Sequence, residues 1–424
     1  MAASERGSEL RPALSRCIAV PTETFADRYW GREALLSRAS ELGDGPDGAG
    51  DSADAAGFAD LFSADAVDEL VTRRGVRTPF IRMAKEGSVL PASAYTGSGG
   101  FGAEVGDQVA SDRVLARFAD GATIVLQGLH RLWPPIIDFT RALVGELGHP
   151  VQVNAYVTPP GSQGFDPHYD THDVFVLQIS GEKHWRIHEP VHVDPLASQP
   201  WSQHREAVAR AALDEPAIDA VLRPGDALYL PRGWIHSATA GGDATSVHLT
   251  IGMSAYTRAD VVQALVARVG ESDRLRASLP LGVDFDDVDA FAGIVRETVD
   301  ALAELLERSD ASDAAAALAR RFEGDIRPEP LAPLATLEAL ATLDASSTVR
   351  WREALRSRIE VDGDRVRVVG RTTSLSLPIE AEPAVRRLAE GSPVAVGDLP
   401  GLDADSALVV ARRLVREGFA VASG

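Results

Sequence analysis

Between Gly121 and Met253 the chain is a succession of short apolar, β-branched segments, ATIVLQG, VQVNAYVTP, VFVLQIS, HWRIHEP, DALYLP and SVHLTIGM, separated by Gly, Pro and Asp. Runs of about four to eight such residues with turn formers at their ends read as strands, and several in close order predict an antiparallel barrel or jelly roll. A single helix, roughly PPIIDFTRALVGELG, interrupts them. On both sides the periodicity is helical. FADRYWGREALLSR is predicted helical, and FSADAVDELVTRR carries Ser63 as its predicted N-cap. After Arg258 come ADVVQALVARV, DVDAFAGIVRETVDALAELLERS and ASDAAAALARRF, then a Pro-rich break, RPEPLAP, at 327–333. The remainder reads as helix, two short strands around VDGDRVRVVG, and the helices PAVRRLAEG and DADSALVVARRLVREG, a pattern that predicts a winged helix. The expected class is therefore α+β. Its expected parts are a helical lead-in at 1–120 with a disordered acidic loop at about 39–60, a barrel at 121–257, a helical segment at 258–344 and a winged helix at 345–424.

Charge narrows the partners. Sixty-two acidic residues against 42 basic ones give a net charge of -20, which argues against a broad grip on nucleic acid or an anionic membrane. Residues 345–424 hold twelve arginines and eleven acidic residues, so the C-terminal module is nearly neutral and lacks the basic stripe of a duplex reader. Arg412, Arg413 and Arg416 cluster on its last helix and equally suit a solvated face. Only two basic residues, Lys85 and Lys183, are lysines. Coding bias accounts for the arginines and sets those two apart. The single cysteine, Cys17, excludes an intrachain disulfide and fits a reducing compartment. The first twenty residues show no signal-peptide pattern, and no run of about 18 apolar residues occurs, so a cytoplasmic protein without a membrane span is expected.

Eight of the ten histidines lie between His168 and His248. In His168-Tyr169-Asp170 the polar side chains stand at i and i+2, so on a strand they share a face with Cα atoms about 6.6 Å apart. An imidazole and a carboxylate completed by one distant histidine form the facial triad of non-haem iron sites, which leaves coordination positions open. His172 has the right parity but stands about 13 Å from His168 along a regular strand. His236, just past the Pro231-Arg232-Gly233 turn, and His248 both remain candidates for the third position, with His236 favoured. A second His-x-Asp, His192-Val193-Asp194, lies between Pro190 and Pro195 in what reads as a loop.

The segment NAYVTPPGSQGFDPHYDTHDVFVLQISGEKHWRIHEP, with LRPGDALYLPRGWIHSA and VHLTI, resembles the ribosomal oxygenase group of the Jumonji C family. The resemblance is dense at 150–255 and extends by the order of parts to most of the chain. It implies a double-stranded β-helix of the cupin type, a helical dimerisation segment with a homodimer, and a C-terminal winged helix. It also implies Fe(II), 2-oxoglutarate as cosubstrate and O2, with His168, Asp170 and His236 as iron ligands. Lys183, fifteen positions after the first ligand, is implied as the partner of the distal 2-oxoglutarate carboxylate. Strand parity from Lys183 puts Trp185 and Ile187 inward and His184, Arg186 and His188 outward. Asn154, Tyr156 and Thr250 are implied to line the cosubstrate pocket. The implied reaction is hydroxylation of a protein side chain, a histidine or arginine of a ribosomal protein, although Gly252 departs from the small hydroxyl residue usual in histidine-hydroxylating members. Two other classes are compatible with the residues: a cupin enzyme that does not use 2-oxoglutarate and so needs no cation at 183, and a winged-helix regulator with a vestigial barrel, which would be expected to have lost a ligand.

Overall fold

Alternation along the strands creates two buried layers. The structure, a computed structural model, describes residues 12–43, 57–162 and 165–423. It divides into two units, Met1–Ala255 and Tyr256–Gly424. In the first, strands β1 (Leu35–Ser37), β2 (Ile81–Lys85), β3 (Ser88–Val89), β4 (Thr96–Gly97), β5 (Gln108–Val109), β6 (Thr123–Leu126) and β7 (Val151–Thr158) precede the histidine-rich region. Within that region follow β8 (Asp173–Ser180), β9 (Glu182–His188), β10 (Ile218–Leu222), β11 (Ala227–Leu230), β12 (Ile235–Gly241) and β13 (Ser246–Met253). Eight strands pair in the order β1-β11-β8-β13-β7-β6-β2-β3, three in the order β10-β9-β12, and β4 pairs with β5.

Odd and even positions of the central strands serve different layers. Val153, Ala155, Phe175, Leu177, Leu249 and Ile251 pack outward with Leu14, Cys17, Phe25, Leu70 and Leu143 of the helical segments. Val174 and Val176, on the other face of β8, meet Trp185, Ile187, Ala220 and Leu222 of the smaller sheet. Each such side chain contributes about 1.5–3 kcal/mol when fully buried, so both faces of the large sheet are committed to packing. What remains for chemistry is one end of the space between the sheets.

Several local signals act as expected. The Ser63 hydroxyl accepts from the Ala66 N–H at 3.2 Å and caps the helix Ala64–Arg73. Pro134 starts the helix Pro134–Leu147, and Gly148, at φ 68°, ends it in the left-handed conformation. The expectation of one helix over 25–38 is corrected. Its helical turns end before Gly31, at φ 66°, and Leu35–Ser37 becomes a strand paired with Ala227–Tyr229, a tertiary partner that overrides local propensity. Of the loop expected at 39–60, Ala39–Gly43 forms a short helix and residues 44–56 lie outside the described residues. Lys85 is tied to Asp120 at 3.0 Å.

In the second unit Thr257 caps Arg258–Val266 through a reciprocal box with Asp260. Helices Val288–Glu307, Ala311–Asp325 and Pro333–Thr342 follow, leaving Val262, Phe285, Val288, Val299 and Leu334 exposed. Strands β14 (Thr348–Trp351), β15 (Arg358–Asp362), β16 (Arg365–Val369), β17 (Ser374–Pro378), β18 (Val394–Ala395) and β19 (Ala420–Ser423) form two sheets, β18-β14-β19 and β15-β16-β17. With helices Glu382–Ala389 and Ala404–Arg416 they enclose a separate core that includes Val349, Val366, Leu388, Leu414 and Phe419. Arg412, Arg413 and Arg416 are exposed on the last helix. Among the described residues, no helix is long and apolar enough to cross a membrane.

Candidate active site

A two-residue backbone bridge builds the centre of the site. The His168 N–H donates to the His236 carbonyl at 3.2 Å, and the His236 N–H returns a bond to the His168 carbonyl at 2.8 Å. Antiparallel residues that exchange both bonds have Cα atoms about 5.5 Å apart, with side chains on the same face. Outside this bridge the segment around His168 and Asp170 is irregular, so the shared face comes from the bridge rather than from a continuous strand. A third bond, from the Gly233 N–H to the Asp170 carbonyl at 3.0 Å, fixes the carboxylate alongside. Gly233 is at φ 90°, and an added Cβ would lie 2.6 Å from the His192 carbonyl oxygen, so the turn before His236 requires glycine.

The rings are oriented from behind. His168 Nδ1 lies 2.7 Å from the Asp166 carbonyl, and His236 Nδ1 lies 3.0 Å from the Trp234 carbonyl. A carbonyl only accepts, so each Nδ1 holds the proton and each Nε2 presents a lone pair. His236 Nε2 stands 3.7 Å from Asp170 Oδ2. One ligand atom from each of His168, Asp170 and His236 falls within 4.8 Å of the others, in reach of one metal ion. Burial pushes the Asp170 carboxyl up, but His236, His172, His168 and Arg82 together outweigh it and hold it below the usual range. Burial, reinforced by His168, keeps His236 neutral and ready to ligate. Two neutral imidazoles and one carboxylate are the donor set of a divalent transition metal, and they fit one here.

Lys183 lies in the same cavity, of about 250 Å³, which is lined by all three of those residues together with Thr123, Tyr156, Trp185, His248 and Thr250. Lys183 is only 4% exposed, and burial depresses its pKa to about 7. Its ammonium reaches one hydroxyl, Thr158 Oγ1, at 3.4 Å, and that hydroxyl in turn accepts from Thr123 Oγ1 at 3.3 Å. Trp185 Nε1 and His248 Nδ1, both buried nearby, have no hydrogen-bond partner. An ammonium and unpartnered buried polar atoms around one cavity form a seat for an anionic ligand, since leaving them unpaired is costly.

The structure separates the two candidates for the third ligand. His248 lies outside the metal cluster, stacked on Tyr156 with ring centroids 5.1 Å apart, and burial followed by the Lys183 charge pushes its pKa well down. Thr250 and Tyr156 line the cavity. Asn154, on the same face of β7, gives its amide oxygen to the Gly128 N–H at 3.1 Å and is not among the lining residues. His172 stays out of the cluster and packs against Gly252, where an added Cβ would lie 2.6 Å from its ring. The second motif is structural: His192 stacks on His204 at 4.6 Å, and Asp194 pairs with Arg232 at 3.1 Å. His184 and Arg186 face outward beside Asp219 as expected, but His188 is buried. Asp214, in the turn after helix Arg205–Ala211, acts on it electrostatically, so outward parity meets protein there rather than water. Arg82, Phe165 and Trp201 also line the cavity and carried no motif in the sequence.

Residues 136–261 match the family model of the JmjC domain. The bifunctional lysine-specific demethylase and histidyl-hydroxylase NO66 of Drosophila persimilis is 39% identical over 163 residues, covering 37% of this chain and 22% of that protein. Human ribosomal oxygenase 1 is 31% identical over 313 residues, covering 69% and 40%. The chain spans less than half the length of these curated relatives. The crystal structure of Escherichia coli ribosomal oxygenase YcfD aligns over 95% of this chain and 98% of that one, with a TM-score of 0.50 and 18% identity, and supports the fold.

Proposed function

We propose that this chain, which carries a JmjC domain, is an Fe(II)- and 2-oxoglutarate-dependent oxygenase that hydroxylates a protein side chain, with a ribosomal protein as the favoured substrate. The observation that carries the reading is one cavity with a His-Asp-His cluster at one end and a buried, under-partnered lysine at the other. His168, Asp170 and His236 would hold the iron and leave positions open. Lys183, supported by Thr158, would bind the distal carboxylate of 2-oxoglutarate, with Tyr156 and Thr250 along its length and Asn154 steadying the adjoining backbone. Bound there, Fe(II) with 2-oxoglutarate and O2 supplies oxidative decarboxylation to succinate and CO2 and the oxygen atom that enters the substrate C–H bond. The chain's own part is to orient the ligands through their Nδ1 bonds and to exclude water with Val174, Val176, Trp185 and Leu230.

The name of the human relative, ribosomal oxygenase 1, supports a ribosomal substrate. The exposed Val262, Val288 and Val299 support self-association through the helical segment at 258–344 as a homodimer. The C-terminal module at 345–424 is read as a winged helix that docks substrate or scaffolds the fold, because its near-neutral charge gives little purchase on duplex DNA. Purified protein given Fe(II), ascorbate and 2-oxoglutarate should release succinate. Ribosomal proteins from cells with the gene, compared by mass spectrometry with those lacking it, should gain one oxygen on one protein. Absence of both results would defeat the reading.

A further inference from the structure

Arg82 reaches the cavity from a part of the chain that sequence marks only as lead-in. Pairing registers place it on one rung of the large sheet: Arg82 opposite Val125, Val125 opposite Tyr156, and Tyr156 opposite His248. Residues opposite one another on adjacent strands point to the same side, so Arg82 faces the cavity with Tyr156 and His248. Its charge acts on the Tyr156 phenol, and its guanidinium lies 5.7 Å from the centre of the Phe165 ring, which is itself 6.0 Å from the His168 ring. Its Nε is buried without a partner, and among the described residues no carboxylate forms an ion pair with it. Arg38, Arg232 and Arg350, by contrast, each close on an acid.

The charges lining the cavity are Arg82 and Lys183 against Asp170. On the reading above, an Fe(II) ion and a 2-oxoglutarate dianion cancel each other, Asp170 offsets one of the two cations, and a net positive charge is left, with Lys183 engaged by the cosubstrate carboxylate and Arg82 free of one. A half-buried charge without a counter-charge is unfavourable, and a second cation brought beside it in the cavity adds repulsion. We infer that Arg82 is a specificity-determining residue: it holds a hydrogen-bond acceptor of the incoming peptide, a carboxylate or carbonyl oxygen, and bars a cationic side chain from the metal. The substrate class so defined is a neutral or acceptor-bearing side chain, in preference to arginine or lysine. This rests on the oxygenase reading only for the charge of the loaded site.

The test uses the full chain loaded with Mn(II) and 2-oxoglutarate and three short fluorescein-labelled peptides that differ only in a central Asp, His or Arg. Binding is read by anisotropy near pH 7. In the wild type the Arg peptide should bind about fivefold or more weakly than the others. Arg82→Glu should invert that order, and Arg82→Lys should restore it. Arg82→Gln should erase the discrimination while Mn(II) and 2-oxoglutarate affinities stay within about twofold, which separates loss of recognition from loss of fold. An order unchanged in Arg82→Glu, or no measurable binding of any peptide at about 1 mM, overturns the inference. Inversion in a protein that forms no succinate would defeat the oxygenase reading and leave Arg82 as a charge filter; succinate formation without inversion would do the reverse.

Discussion

The chain carries the pattern His-x-Asp twice, at His168–Asp170 and at His192–Asp194, and only the first converges with a third ligand. Local sequence does not separate them, since both sit in irregular segments near prolines. The difference is what lies across from each. His168 exchanges two backbone bonds with His236, which brings a second imidazole beside the pair. His192 meets His204 instead, and Asp194, at φ 52°, turns to Arg232. The two regions touch at Gly233, whose N–H serves Asp170 and whose missing Cβ makes room for the His192 carbonyl. A candidate metal-ligand pair is therefore made by its partner strand, and the second copy serves as packing around the first.

The comparison can be broken first at the ligands. Asp170→Ala should lower Fe(II) affinity by about a hundredfold or more in a metal-binding titration and stop succinate formation, because it removes a donor rather than a supporting contact. Lys183→Ala should weaken 2-oxoglutarate about thirtyfold or more, with Fe(II) affinity nearly unchanged, as measured by calorimetry under anaerobic conditions.

The same lysine gives a pH signature. In the empty site Lys183 titrates at about 7, and an anionic ligand beside it raises that value, so binding takes up a proton above pH 7. Affinity for 2-oxoglutarate should be full below pH 7 and fall by up to about tenfold per pH unit above it. Lys183→Arg, which stays charged throughout, should flatten the profile; a profile as steep as that of wild type would place the titration elsewhere.

Smaller effects test the seam. Gly233→Ala forces a side chain into a positive-φ position against the His192 carbonyl and should cost about 1–3 kcal/mol in urea unfolding, with some loss of metal affinity through the displaced turn. Asp194→Ala, by contrast, should leave Fe(II) affinity within about twofold and stability within about 1 kcal/mol, because Asp194 is itself exposed and Arg232 keeps Asp173 at 3.7 Å as a second partner. Equal losses of metal affinity in Asp170→Ala and Asp194→Ala would erase the distinction between the two copies.

Much of the barrel was legible because two-sided burial writes itself into β-branched runs. VQVNAYVTP, VFVLQIS and SVHLTIGM became β7, β8 and β13, and inward parity from Lys183 found Trp185 and Ile187. The helix expected over 25–38 failed where a tertiary partner recruited Leu35–Ser37 into the sheet. Arg82 escaped notice because β2 is short and its place depends on β6 lying between it and β7.

By itself the sequence determined which side chains could face inward, since the two-residue period of a strand is a local property. It also set the chemical types available there: imidazoles, a carboxylate and the ammonium of Lys183. Only the tertiary structure decided which of two buried histidines joins His168 and Asp170 and which of two His-x-Asp pairs gathers a third donor. That choice rests on cross-strand register, which bonds between residues far apart in the chain fix and no local pattern encodes.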